Sequence, residues 1–160
     1  MRRVVELLGS QGELLIVKGN HDGDIEKIVG DVEIVGGQGV LERGMYVVHG
    51  HARPSEDIME ARAVVMGHVH PALAFRHRFG KVLEKVFLLC EWRGIPAVVL
   101  PAFSPLITGA DVSVPENMIG PVARELENVE AFLLDGTYVG NIGGRRHIKH
   151  HGEMVSGGPR

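Results

Sequence analysis

Three apolar runs in this chain each stop at a histidine-bearing string, and that placement limits what it can fold into. Residues 13–18 run into Gly19-Asn20-His21-Asp22, residues 45–49 end in His49-Gly50-His51, and residues 63–66 lead into Gly67-His68-Val69-His70. A short continuous apolar run suits a strand in a sheet covered on both faces. Strands that stop at polar strings hold their ligands well, because the sheet fixes the Cα positions and the loop leaves open space. The expected fold is therefore α/β, of the α+β kind, with short strands and few helices.

The rest of the chain extends that pattern. Its 22 glycines predict many turns. Residues 2–8 suit a helix that ends at Gly9 as its C-cap. No Ser, Thr, Asp or Asn precedes that helix as a cap, so the chain is expected to start inside a helix of a longer reading frame. Residues 24–29 suit a short helix and residues 32–35 a strand. After Pro71, residues 72–79, 82–92 and 95–101 read as antiparallel strands turning at Gly80 and Arg93-Gly94. Residues 103–117, with two prolines, read as an ordered loop. Residues 121–126 suit a helical turn, and residues 129–135 and 137–142 a hairpin across Asp135-Gly136. Residues 143–160 lack periodicity and predict a disordered tail. One domain over residues 1–142 accounts for the remainder, since 160 residues suffice for one core.

Composition excludes some partners. A net charge of −3 gives no general attraction to nucleic acid or membrane surfaces. The basic tail, with Arg145, Arg146, His147, Lys149, His150 and His151, is the exception; it would meet nucleic acid or stray metal, or be a free terminus. No apolar run approaches the ~18–20 residues of a membrane span, and no signal-peptide pattern opens the chain. Cys90 is the single cysteine, within an apolar run, and reads as a small buried hydrophobe. Together these fit a reducing cytosol, and a cytoplasmic location is the expectation.

Imidazole nitrogen, amide oxygen and carboxylate oxygen suit borderline divalent ions such as Mn, Fe or Zn. His68 and His70 are two apart, which on a helix would part them. On an extended loop between Gly67 and the turn at Pro71 both can approach a pair of ions. Paired ions clamp a phosphate and activate water, and an unliganded histidine beside them can protonate the leaving alkoxide. Taken singly, each string has a plainer reading. Gly-Asn and His-Asp-Gly are turn chemistry, and a lone His49 is ordinarily structural. A single structural ion on Asn20, His49 and His68 fits less well, since such sites favour thiolates.

In this order the three strings resemble the calcineurin-like metallophosphoesterases. The string at residues 101–112, PAFSPLITGADV, is similar to an archaeal phosphoesterase subgroup related to double-strand-break repair nucleases, and to enzymes found beside bacterial DNA ligases. The resemblance covers roughly residues 1–142. It implies that Asn20, His49 and His68 bind a second metal and that His70 binds a first. It makes His21 the catalytic acid, oriented by Asp22. His51 would stand behind the ligands or face the substrate, and Arg53 would touch phosphate or simply be solvated. It implies a hydrolase of phosphomonoesters or phosphodiesters, with nucleic acid among the candidate substrates, and two divalent ions in the complete family domain.

The departure from the family is equally specific. No Asp-x-His and no Gly-Asp pair lies upstream of Gly19. The chain is thus expected to be the C-terminal part of a four-layer αββα sandwich with an exposed sheet edge or face. It would bind one ion weakly or none and be inactive alone, with the missing motifs encoded upstream in frame. The alternative is a non-catalytic remnant that serves as a binding or scaffold module.

Overall fold

The computed structural model describes residues 2–143, so the expected disordered tail lies outside the described residues, Gly143 apart. The architecture is mixed α/β, with few helices and one large mixed sheet. Helix α1, Arg2–Gly9, packs Val5 inward and leaves Val4, Leu7 and Leu8 exposed. Gly9 is its last residue but not a left-handed cap. The helix ends instead with the Ser10 hydroxyl donating to the Leu7 carbonyl at 2.7 Å. Strand β1, Leu15–Val17, and strand β2, Glu33–Val35, pair in parallel as a sheet of their own. Helix α2, Glu26–Val29, connects them. Val5, Ile25 and Val29 form a small core here with Leu14, Ile16, Val32 and Ile34 around it.

The larger sheet begins at β3, Val40–Glu42, which pairs antiparallel with β4, Met45–Val48. A 3-10 turn at Glu56–Glu60 leads to β5, Ala63–Met66, parallel to β4 with Val48 beside Met66. Strands β6, Pro71–His77, β7, Gly80–Trp92, and β8, Ile95–Val99, follow as successive hairpins. Strand β8 returns to lie parallel to β5, with Met66 beside Val99. A two-residue strand β9, Ala110–Asp111, adds to β6, and β10, Leu126–Leu133, adds to β7. Strand β11, Tyr138–Asn141, closes the far edge across the expected turn at Gly136, where φ is +87°.

The second and main core lies on this sheet, around Tyr46, Val48, Val64, Met66, Val86, Leu88 and Val99. Both β4 and β5 are apolar, with every second residue buried and, exposed Met45 apart, the others half-buried. Strand β3 and the 3-10 turn after Ser55 were not expected. Strand β1 is shorter than its apolar run, and it belongs to a different sheet from β4 and β5. Among the described residues, no helix is long and apolar enough to cross a membrane.

Candidate functional site

Parallel pairing of β4 with β5 brings two of the three strings together at the C-terminal ends of neighbouring inner strands. Past the last paired residues, the Gly67 N–H donates to the His49 carbonyl at 3.2 Å. Gly50 then turns the chain at φ +111°, a conformation that glycine alone adopts cheaply. A side chain there would also strike Met66 Cε at 2.9 Å. The rings of His49, His51 and His68 gather at these strand ends. Centroids of His49 lie 5.1 Å from His51 and 5.1 Å from His68, and His51 lies 5.9 Å from His68.

His68 reaches the cluster through an unusual backbone. Its φ is +66°, and the Val69 N–H donates to the Gly67 carbonyl at 2.8 Å. That is a γ-turn of the strained, positive-φ sense. His70 also has positive φ, +49°, although it precedes Pro71, where the backbone ordinarily extends. In an extended strand His68 and His70 would leave Val69 on opposite terms with the sheet. Two left-handed residues break that alternation. His70 is half-buried, and its charge acts on both His49 and His68.

The third string comes from the small sheet. The Lys18 N–H donates to the Val35 carbonyl at 2.9 Å, ending the β1–β2 ladder. Next to it, the Gly19 N–H donates to Asp22 Oδ2 at 2.8 Å and closes the loop. Lys18 Nζ braces the same loop, reaching Glu26 at 2.7 Å and the Gly23 carbonyl at 2.9 Å. Asn20 Oδ1 then meets His49 Nε2 at 3.0 Å, which joins the two sheets at the site. His21 is exposed, at the rim. Asp22 closes its own loop, and among the described residues no hydrogen bond joins it to His21. Arg53 is exposed, with no bonded partner among the described residues.

Three contributors went unnoticed in the sequence. Gly37 lies under the His51 ring, so close that any Cβ would overlap it. Gly120, at φ +104°, packs on the Gly50 carbonyl, and a Cβ there would stand 3.6 Å from His68 Cδ2. Buried Tyr46 donates its hydroxyl to the Gln38 carbonyl at 2.6 Å and accepts from the Ser55 N–H at 2.8 Å. It thereby ties down the loops on both sides of residues 49–51. The run Gly36-Gly37-Gln38-Gly39 was the available signal, since clustered glycines mark close backbone approach.

Burial and neighbouring imidazoles disfavour the charged form of His49 and His68. Burial, then the neighbouring His68 and His51, holds His49 below the ordinary imidazole range, with Asp22 opposing. His68 is lowered by burial first and then by His51, His70 and His21. His51 Nδ1 is buried without a hydrogen-bond partner. Neutral imidazoles with free lone pairs are metal-ready donors. Two imidazoles ligating one zinc at about 2.0–2.1 Å in tetrahedral geometry have centroids about 5 Å apart, so the ring spacing fits shared ligation. As they stand, however, no three His, Cys, Asp or Glu side chains among the described residues form a ready ligand set. Asn20 Oδ1 and His49 Nε2 face each other rather than a common point. Comparison with family models, curated proteins and solved structures finds no match for this chain.

Proposed function

We propose that this cluster is the imidazole-rich side of a metal-dependent phosphoesterase centre, and that the chain is the matching part of a four-layer αββα sandwich. One observation supports the reading above others. Three strings separated by tens of residues bring His49, His51 and His68 together with Asn20 at the C-terminal ends of β4 and β5. Core packing alone does not call for this, because buried polar groups normally find partners and His51 Nδ1 has none.

In this reading Asn20, His49, His68 and His70 would hold the metal, which would supply charge neutralisation and an activated water. The chain's own residues do the rest. Burial already disfavours the protonated form of His49 and His68, which would ease ligation. His51 buttresses both rings from the Gly37 side. His21, exposed beside the cluster, gives a proton to the departing alkoxide. Asp22 shapes the loop that carries His21 rather than the imidazole itself.

Metal binding tests this directly. Titration calorimetry with Zn²⁺ or Mn²⁺ should give saturable binding, lowered at least about tenfold by His49→Ala or His68→Ala. Replacing His147, His150 and His151 together should leave that binding in place. Binding abolished by the tail substitutions and indifferent to His49→Ala would remove the centre altogether.

A further inference from the structure

Strand β10 does not run evenly along β7. Its register slips between Glu127 and Glu130, and Asn128 between them has φ +51°. Such a bulge changes which side chains face inward. Leu126 and Val129 are three apart, and on a regular strand they would face opposite sides. Here both are buried, 3% and 2% exposed. With Val112, Met118, Ala123 and Ile142 they line a cavity of about 80 Å³. Two 3-10 turns, Pro115–Asn117 and Ala123–Glu125, bring Pro115 and Ala123 to its wall. An unfilled cavity lowers stability as its volume grows, so this one stands to gain from an occupant.

The polar groups of the wall are already engaged. Ser113 Oγ donates to Asp111 Oδ1 at 2.6 Å, and the Ser113 N–H to the same oxygen at 3.2 Å. On the backbone, the Ile142 N–H donates to the Val129 carbonyl at 2.9 Å and the Met118 N–H to the Pro115 carbonyl at 3.1 Å. A buried water needs about two to four free polar partners, so this wall suits an apolar group better. Its volume is roughly half the ~150 Å³ of an apolar cavity that takes benzene, which fits a branched group of about three or four carbons. Arg124 is the exception in the lining. It is exposed, and its guanidinium has no partner among the described residues. The nearby carboxylates are held elsewhere, Asp111 by Lys81 at 3.2 Å and Glu125 by Arg93 at 2.8 Å. Glu116 is exposed and forms no ion pair with Arg124.

We propose that this cavity binds a small branched-chain carboxylate, with its hydrocarbon between Val112 and Val129 and its charge on Arg124. A guanidinium meets a carboxylate through paired, charge-assisted hydrogen bonds. The volume is too small for a long acyl chain or a fused ring. The cavity shares no lining residue with the histidine cluster, so this site stands apart from the phosphoesterase reading and needs no metal.

Titration of the full chain with isovalerate, isopentyl alcohol and acetate, followed by NMR of the Val112, Ala123 and Val129 methyl groups, tests the site. Isovalerate should bind saturably and about tenfold tighter than the alcohol, which has the same hydrocarbon and no charge. Acetate, with the charge and no branched chain, should not saturate over the same range. Arg124→Gln, a change at the surface, should bring isovalerate down to the alcohol level and leave the alcohol unchanged. Ala123→Leu fills the cavity and should abolish both. Equal affinity of the native chain for isovalerate and the alcohol overturns the proposal, as does an Arg124→Gln variant that keeps native affinity for isovalerate. Tighter isovalerate binding in Ile148→Ser would make the chain's own residues 144–160 the occupant and overturn the small acid. Shifts that never saturate, or that fall away from the cavity, remove the site.

Discussion

His68 holds the least comfortable backbone position of the site. A non-glycine residue at φ +66° costs about 1–3 kcal/mol and persists only when its surroundings enforce it. Here Gly50 and Gly120 close on it from one side and His49 from another. That turn was not legible beforehand, because the positive φ falls on histidines rather than on a glycine or asparagine. What was legible was the neighbourhood, since Gly67 and Pro71 bracket the string. Lowered His49 and His68 also fix a pH dependence. The unfolded chain takes up protons near pH 6.5, while the folded chain resists until lower pH. The unfolded state then binds more protons, so stability falls as pH drops below about 6.5. Melting temperature measured between pH 7.5 and 5 should decline, and His49→Gln with His68→Gln should flatten the decline. An unchanged slope in that double variant would show that the two imidazoles are not held neutral by the fold.

Strand β7 is the longest element, 13 residues, and it pairs with β6 along its first half and with β8 and β10 along its second. Both of its ends were readable from Gly80 and Arg93-Gly94. Strand β3 was not, because Val40–Glu42 offers only two apolar residues and its pairing depends on β4. Pairing partners are likewise invisible in local pattern. Residues 15–17 look like β5 in composition yet form a separate sheet, since the partner they meet is β2. Within β7, Cys90 reports on the sheet. Burial, with Glu91 beside it, pushes its thiol up to about 12, and Sγ faces the Ala97 carbonyl at 3.4 Å. At pH 8 its reaction with a disulfide reagent should be at least about a hundredfold slower than that of free cysteine, and guanidinium should restore the rate. Prompt labelling of the folded chain would mean that β7 and β8 part readily there.

At the scale of the molecule, the site is rich in imidazole and poor in carboxylate. Asp22 is the acidic group that acts on His49, and its oxygen already accepts the Gly19 N–H. Two ions held close together repel unless a carboxylate bridges them. These 160 residues should therefore show negligible Mn-dependent hydrolysis of bis-p-nitrophenyl phosphate in side-by-side assays with and without chelator. Robust, chelator-sensitive turnover would show that a ligand outside the three strings completes the centre. The strings marked in advance which side chains gather; their division between two sheets follows from long-range pairing that no local window contains.

That division has a mechanical side. The chain packs two separate apolar clusters, one under β1 and β2 and one along the large sheet. Across the seam between them, Asn20 meets His49 and Gly37 seats His51. A ligand gripped from both sides acts as a rivet, and its binding free energy becomes cohesion between the two bodies. At a hundredfold excess over its dissociation constant that amounts to about 2.7 kcal/mol. Conversely, any motion that peels the small sheet away would carry Asn20 and His21 off together and leave His49, His51 and His68 on the large sheet, so affinity at this site would gauge how firmly the seam is shut.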